Sequence, residues 1–103
     1  MMRLPTDRAP TPPGEILRKD FLSPLGLTQT ELAMRMKVPI QRVNQICRAR
    51  RAVTPDTALR LAKLFGTSPE FWLNAQAAWD LWHATHSDKA EEIEQLEPVR
   101  ALA

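Results

Sequence analysis

Cysteine occurs once in the 103 residues, at Cys47. A single thiol excludes an intramolecular disulfide and suits a reducing, cytoplasmic compartment. Tyrosine is absent and there are only three glycines, so no glycine-rich phosphate loop can be drawn. No apolar run approaches the ~20 residues of a membrane span, and the N-terminus lacks the apolar core of a signal peptide. No membrane role is therefore expected. Alternating strand patterns fail after a few residues, which leaves an all-α chain. Metal ligands are equally sparse. His83 and His86 stand three apart, half of a site with no second pair. No metal, other cofactor, catalytic residue or small-molecule substrate is expected.

What the chain does have is an uneven distribution of charge. The net charge is +2, but residues 1–86 carry twelve Lys/Arg against seven Asp/Glu, whereas residues 87–103 carry two against five. Residues 35–51 hold six basic side chains (Arg35, Lys37, Arg42, Arg48, Arg50 and Arg51) and no acid. A local excess of this kind points to a polyanionic partner more directly than the total does.

The order of elements follows from start and stop signals. Residues 1–12 are polar, with prolines at 5, 10 and 12, and read as an extended, flexible arm. A first helix begins near Pro13, with Ile16, Leu17 and Phe21 on its apolar side, and is expected to stop before Pro24. Thr28 caps a second helix with Glu31 as its reciprocal partner. This helix ends near Met36, and Val38-Pro39 opens a third that runs to about Arg48. Thr54-Pro55 starts a fourth, burying Ala58, Leu61, Ala62 and Phe65 and closed by Gly66. Ser68-Pro69-Glu70 starts a fifth, to about His86. Residues 13–86 thus form one domain, and residues 87–103 an acidic tail that is weakly helical or disordered.

Residues 28–51, "TQTELAMRMKVPIQRVNQICRARR", carry the strongest pattern. Leu32, Ala33 and Met36 share one face of the second helix. Val43 and Ile46, flanked by Cys47, share the inner face of the third. Small Ala33 permits a close crossing, and Val38 fills the corner between the helices. This is the packing of a helix-turn-helix. One position dissents: the corner favours a glycine with positive φ, and Lys37 stands there, at a cost on the order of 1 kcal/mol.

In such a unit the outer face of the second helix enters the major groove of DNA. Here it displays Gln41, Asn44, Gln45 and Arg48. Gln and Asn amides pair with the N6/N7 edge of adenine, and Arg pairs with O6/N7 of guanine. Ile40 is placed to touch a thymine methyl, although it also falls on the inner stripe with Val43 and Cys47. Thr28 and Gln29 stand at a helix N-terminus that favours phosphate. Lys37, Arg42, Arg50 and Arg51 are placed to hold the DNA backbone on either side.

The fifth helix, "SPEFWLNAQAAWDLWHATH", is apolar on more than one side, which requires burial on more than one side. The rest of so small a domain covers one face. The other is expected to meet a second copy through Trp72, Ala75, Trp79, Trp82 and His83, because closed two-fold dimers are the commonest assembly. A dimer would set two recognition helices about 34 Å apart, one turn of DNA, and so match a palindromic site.

The segments "PGEIL", "LGLTQTELA", "VTPDTALRLAKLFGTSPEFWLN" and "QAAWDL", in this order, resemble the HigA-type (virulence-associated protein I-like) antitoxins of bacteria. These belong to the phage-repressor-like helix-turn-helix superfamily. The resemblance runs from about Pro12 to Trp82. It implies a five-helix, lambda-repressor-like domain that dimerises, binds a palindromic operator and represses its own operon. It further implies a cognate toxin of the ribosome-dependent, mRNA-cleaving type, held inactive in a complex. Lys37 and the basic "CRARR" exit depart from the family pattern and leave the operator sequence open. A stand-alone repressor without a toxin is the alternative. An adaptor for acidic proteins or RNA is disfavoured, because polyanion binding alone needs Lys and Arg, not the amides of Gln41, Asn44 and Gln45.

Overall fold

The computed structural model describes residues 8–99. The first seven residues of the expected arm and the last four of the tail lie outside them. Among the described residues all regular structure is helical.

The first helix is longer than the sequence predicts. It comprises α1 (Pro13–Ile16), a π-helical segment Leu17–Leu22 and α2 (Ser23–Leu25), in one continuous run. Pro24 does not stop it. The Ser23 N–H reaches back five residues to the Arg18 carbonyl, and this wider turn relieves the clash a proline ring makes with the carbonyl four residues before it. Leu17 and Leu22, at either end of this segment, are both buried. Ile16 and Phe21 pack on the core from its edge. Gly26 ends the run in the left-handed conformation (φ 62°).

The pair α3 (Gln29–Met36) and α4 (Ile40–Cys47) follows. Thr28 and Glu31 form the expected capping box: the Thr28 hydroxyl accepts from the Glu31 N–H at 3.0 Å, and the Glu31 carboxylate accepts from the Thr28 N–H at 3.1 Å. Ala33, Met36, Val43 and Ile46 are buried between the two helices, with Val38 half-buried in the corner. Lys37 has φ 59° and ψ 46°, the left-handed geometry expected of that corner.

Helix α5 (Pro55–Phe65) is capped by Thr54 and closed by Gly66, and α6 (Pro69–Thr85) is capped by Ser68. A five-residue helix, α7 (Ala90–Glu94), lies in the acidic tail with no buried side chain. The core gathers Leu17, Leu32, Val43, Leu61 and Trp72, each at most 1% exposed.

Trp72 corrects one sequence expectation. It is not available to a partner: it is 0% exposed, packed against Phe21, Phe65 and Phe71, and its indole N–H donates to the Thr67 hydroxyl at 2.7 Å. Trp72 and Trp79 share a helical face. At 17 residues, however, α6 outruns the eleven-residue α5 beside it. The face is closed over at Trp72 and only half-covered at Trp79.

Candidate nucleic-acid interface

The outer face of α4 presents the stripe the sequence suggests. Gln41, Gln45 and Arg48 are exposed and Asn44 is half-buried. Ile40 is half-buried and packs against the core, so only part of it remains for a base edge. The polar side chains face out because Val43, Ile46 and Cys47 hold the opposite side of the helix in the core. Burial also pushes the Cys47 thiol pKa up, as expected of an inert core thiol.

The cations around this stripe differ in freedom. Lys37, Arg50 and Arg51 are exposed. Arg42 is tied down: its Nη1 donates to Asp56 Oδ2 at 3.0 Å, and the same oxygen accepts from Arg60 Nε at 3.0 Å. Arg60 also donates through Nη1 to the Met36 carbonyl at 2.7 Å, capping the C-terminal end of α3. Asp56 and Arg60 of α5 thus tie in α4 through Arg42 and α3 through the Met36 carbonyl. Arg60 and then Arg42 hold the Asp56 carboxyl below the usual carboxylate range. Asp56, in the first turn of α5, is therefore the anchor of Arg42.

At the N-terminus of α3, the Thr28 backbone N–H is already taken by Glu31. The Thr28 hydroxyl accepts from the Glu31 N–H. Donation from the Thr28 backbone N–H, and then from its hydroxyl, holds the Glu31 carboxyl below the usual range. Gln29 is half-buried and lines an open depression with Arg18, Arg48 and Arg50. Arg18 comes from the π-helical segment, and nothing in its local sequence marks it out.

The segment after α4 is shaped by contacts that periodicity does not reveal. Ala49 has φ 57°, a left-handed conformation in a residue with a Cβ. It lets the Arg50 N–H fold back to the Gln45 carbonyl at 2.8 Å and the Ala49 N–H to that of Ile46 at 3.0 Å, which closes the recognition helix. Further on, Gln76 of α6 accepts from the Val53 N–H at 2.8 Å, while its Nε2 donates to Asp80 at 2.9 Å. Helix α6 thereby holds the exit loop that carries Arg50 and Arg51.

The second half of α6 carries the remaining candidates for contact between copies. Ala75, Trp79 and Trp82 are half-buried and His83 is exposed. His83 meets Trp79 and Trp82 edge-on, with ring centroids 4.3 and 5.1 Å apart. His86 stacks on Trp82 at 4.0 Å, and its Nδ1 lies 2.7 Å from the Trp82 carbonyl. The Trp82 indole nitrogen is buried without a hydrogen-bond partner among the described residues. Both histidines are thus engaged with indole rings. Among the described residues no group of three or more His, Cys, Asp or Glu is placed to hold a metal ion, and no helix is long and apolar enough to cross a membrane.

A helix-turn-helix family model matches residues 17–72. The chain is 45% identical over 81 residues to virulence-associated protein I of Dichelobacter nodosus, covering 79% of this chain and 75% of that one. It is similar to the antitoxin HigA of Pseudomonas aeruginosa, solved with the higBA promoter: TM-score 0.82 and 36% identity, covering 88% of this chain and 99% of that one. It is also similar to the antitoxin GraA, solved in complex with its operator: TM-score 0.83 and 39% identity, covering 96% of this chain and all of that one (100%).

Proposed function

Because the chain belongs to the helix-turn-helix family, we propose that it is an antitoxin of the HigA type. In this reading it is a cytoplasmic, dimeric repressor that reads a palindromic operator upstream of its own gene and holds a HigB-like, mRNA-cleaving toxin inactive by direct binding. The observation that carries the reading is the exposed row Gln41, Asn44, Gln45 and Arg48 on a helix whose other side is locked into the core. Amides and guanidinium on a rigid helix have the bidentate geometry that base edges require. Lys37, Arg50 and Arg51 surround the row as phosphate donors, with Thr28 and Gln29 beside them at the N-terminus of α3. Support for the antitoxin role comes from the two similar proteins named above, each an antitoxin and each solved on DNA.

Arg42 has a different part. Held by Asp56, it meets the backbone from a fixed position, so its ordering entropy is already spent in the free protein. Dimerisation rests on the second half of α6, where Ala75, Trp79, Trp82 and His83 leave apolar and aromatic surface half-open.

The test is titration of the purified protein into the duplex upstream of its gene and into a shuffled duplex, over a range of salt. Specific binding should exceed random binding by about 10³ or more. Equal affinity for both duplexes would defeat the reading. Co-expression with the neighbouring reading frame then separates an antitoxin from a stand-alone repressor. An antitoxin co-purifies with the neighbour's product and restores growth.

A further inference from the structure

Two surfaces remain outside the interface described above. The first is an apolar groove lined by Leu25, Leu27, Leu64 and Phe65, with Arg35 on its edge. Beyond Leu64 it continues past Leu59, flanked by Lys63. Leu25 is 64% exposed and Leu59 59%. The second is the acidic tail. Ile93 and Leu96 lie three apart on one side of its helical turn, with the Leu96 N–H on the Ile93 carbonyl at 3.1 Å. Both are exposed, at 55% and 71%, among Glu91, Glu92, Glu94 and Glu97. A five-residue helix burying nothing is not stable alone, so α7 is a segment waiting for a surface.

We propose that the tail of one copy docks in the groove of a second copy. Ile93 and Leu96 meet Leu25, Leu59 and Leu64, and the glutamates meet Arg35 and Lys63. Charge and polarity are complementary: basic rim against acidic flanks, apolar floor against apolar face. Placement on α6 favours the partner's tail over the chain's own, because turns after Thr85 (Ser87 N–H to the Ala84 carbonyl, Ala90 N–H to the Ser87 carbonyl) keep the connection from running extended. The groove lies at the N-terminal end of α6, where Phe71 and Trp72 pack against Phe21 and Phe65. The tail leaves from the other end, after Thr85, roughly 20 Å away at 1.5 Å per residue. In a two-fold pair built on α6 with the two helices antiparallel, the C-terminal end of one α6 falls beside the N-terminal end of the other. The tail is then delivered to the partner's groove. This inference rests on the dimer of the proposed function.

The experiment mixes two full-length chains, Leu64→Cys and Leu96→Cys, and oxidises them, with light scattering of the unsubstituted protein measured alongside. Both positions are exposed, so folding is spared, and the buried Cys47 does not compete. A covalent heterodimer formed well above the level of either chain alone is the expected result. Ile93→Glu with Leu96→Glu should raise the dimer dissociation constant at least about tenfold. A dimeric mass with no heterodimer would overturn the docking while leaving the dimer intact. So would ring closure within a single chain carrying both cysteines. A monomeric mass would remove the dimer and the docking together.

Discussion

Gly14 lies directly on the backbone of Ile46. A Cβ added to Gly14 would stand 1.8 Å from the Ile46 carbonyl oxygen and 2.9 Å from the Cys47 Cα. The first helix therefore crosses the end of the recognition helix at a distance only a glycine allows. Any larger residue must push α1 and α4 apart, because both obstacles are backbone. Gly14→Ala is expected to destabilise the fold by about 1–3 kcal/mol, in the range of overpacking in a dense core. It should also weaken specific DNA binding, because the helix displaced carries Gln45 and Arg48. Thermal melting and operator titration of the same sample check both.

The two non-glycine residues at positive φ, Lys37 at 59° and Ala49 at 57°, are expected to gain stability on replacement by glycine. Each carries strain on the order of 1 kcal/mol, partly offset by the greater freedom of glycine in the unfolded chain. A gain of ~0.5 kcal/mol per site corresponds to a rise of roughly 2–4 °C in Tm for a domain of this size. The two variants should separate on DNA. Ala49→Gly leaves affinity near its starting value, whereas Lys37→Gly removes a cation and flattens the salt dependence by about one unit.

Base reading and backbone holding predict different losses. Gln45→Ala should cost about 1–3 kcal/mol on the operator and little on random DNA, narrowing the preference between them. Arg51→Ala should weaken both duplexes alike and reduce the salt slope by about one. Identical behaviour of the two variants would contradict the assignment of α4 as the reading element.

Acid should loosen the fold through two carboxylates. Hydrogen bonds from Thr28 hold the Glu31 pKa down, and those from Arg60 and Arg42 hold that of Asp56 down. Where the folded pKa lies below the unfolded one, the stabilisation is fully present above the unfolded value and is lost as pH falls through the folded one. Tm should therefore be flat near neutrality with respect to these groups and decline below roughly pH 4, the ordinary carboxylate range. Glu31→Gln and Asp56→Asn should each flatten that decline. Asp56→Asn should in addition free Arg42, visible as a changed salt slope on operator DNA.

Much of the fold is legible in the sequence because its signals are local. Thr28 with Glu31, Thr54 with Pro55, and Ser68 with Pro69 mark helix starts within four residues. The apolar spacing from Leu32 to Ile46 fixes which sides of two helices face one another, and hence which side of α4 faces out. The positive φ at Lys37 follows from the corner the chain must turn. Pro24 was less legible, because its local rule assumes an α-helical carbonyl four residues back, and a π-helical turn removes that condition.

Other features depend on segments far apart in the chain. The carboxylate of Asp56 collects Arg42 and Arg60, and the amide of Gln76 takes the Val53 N–H from 23 residues away. No periodicity encodes such pairs. Trp72 and Trp79 have the same identity on the same helical face, yet one is core and the other half-open, because burial depends on how far the neighbouring helices extend. The sequence by itself determined the helices, their order and the amide row on the third predicted helix, since each follows from side-chain spacing and backbone hydrogen-bond rules. Only the tertiary structure decided which cations are tied, which aromatics are free and why position 14 admits no Cβ. Those depend on where one helix lies across another.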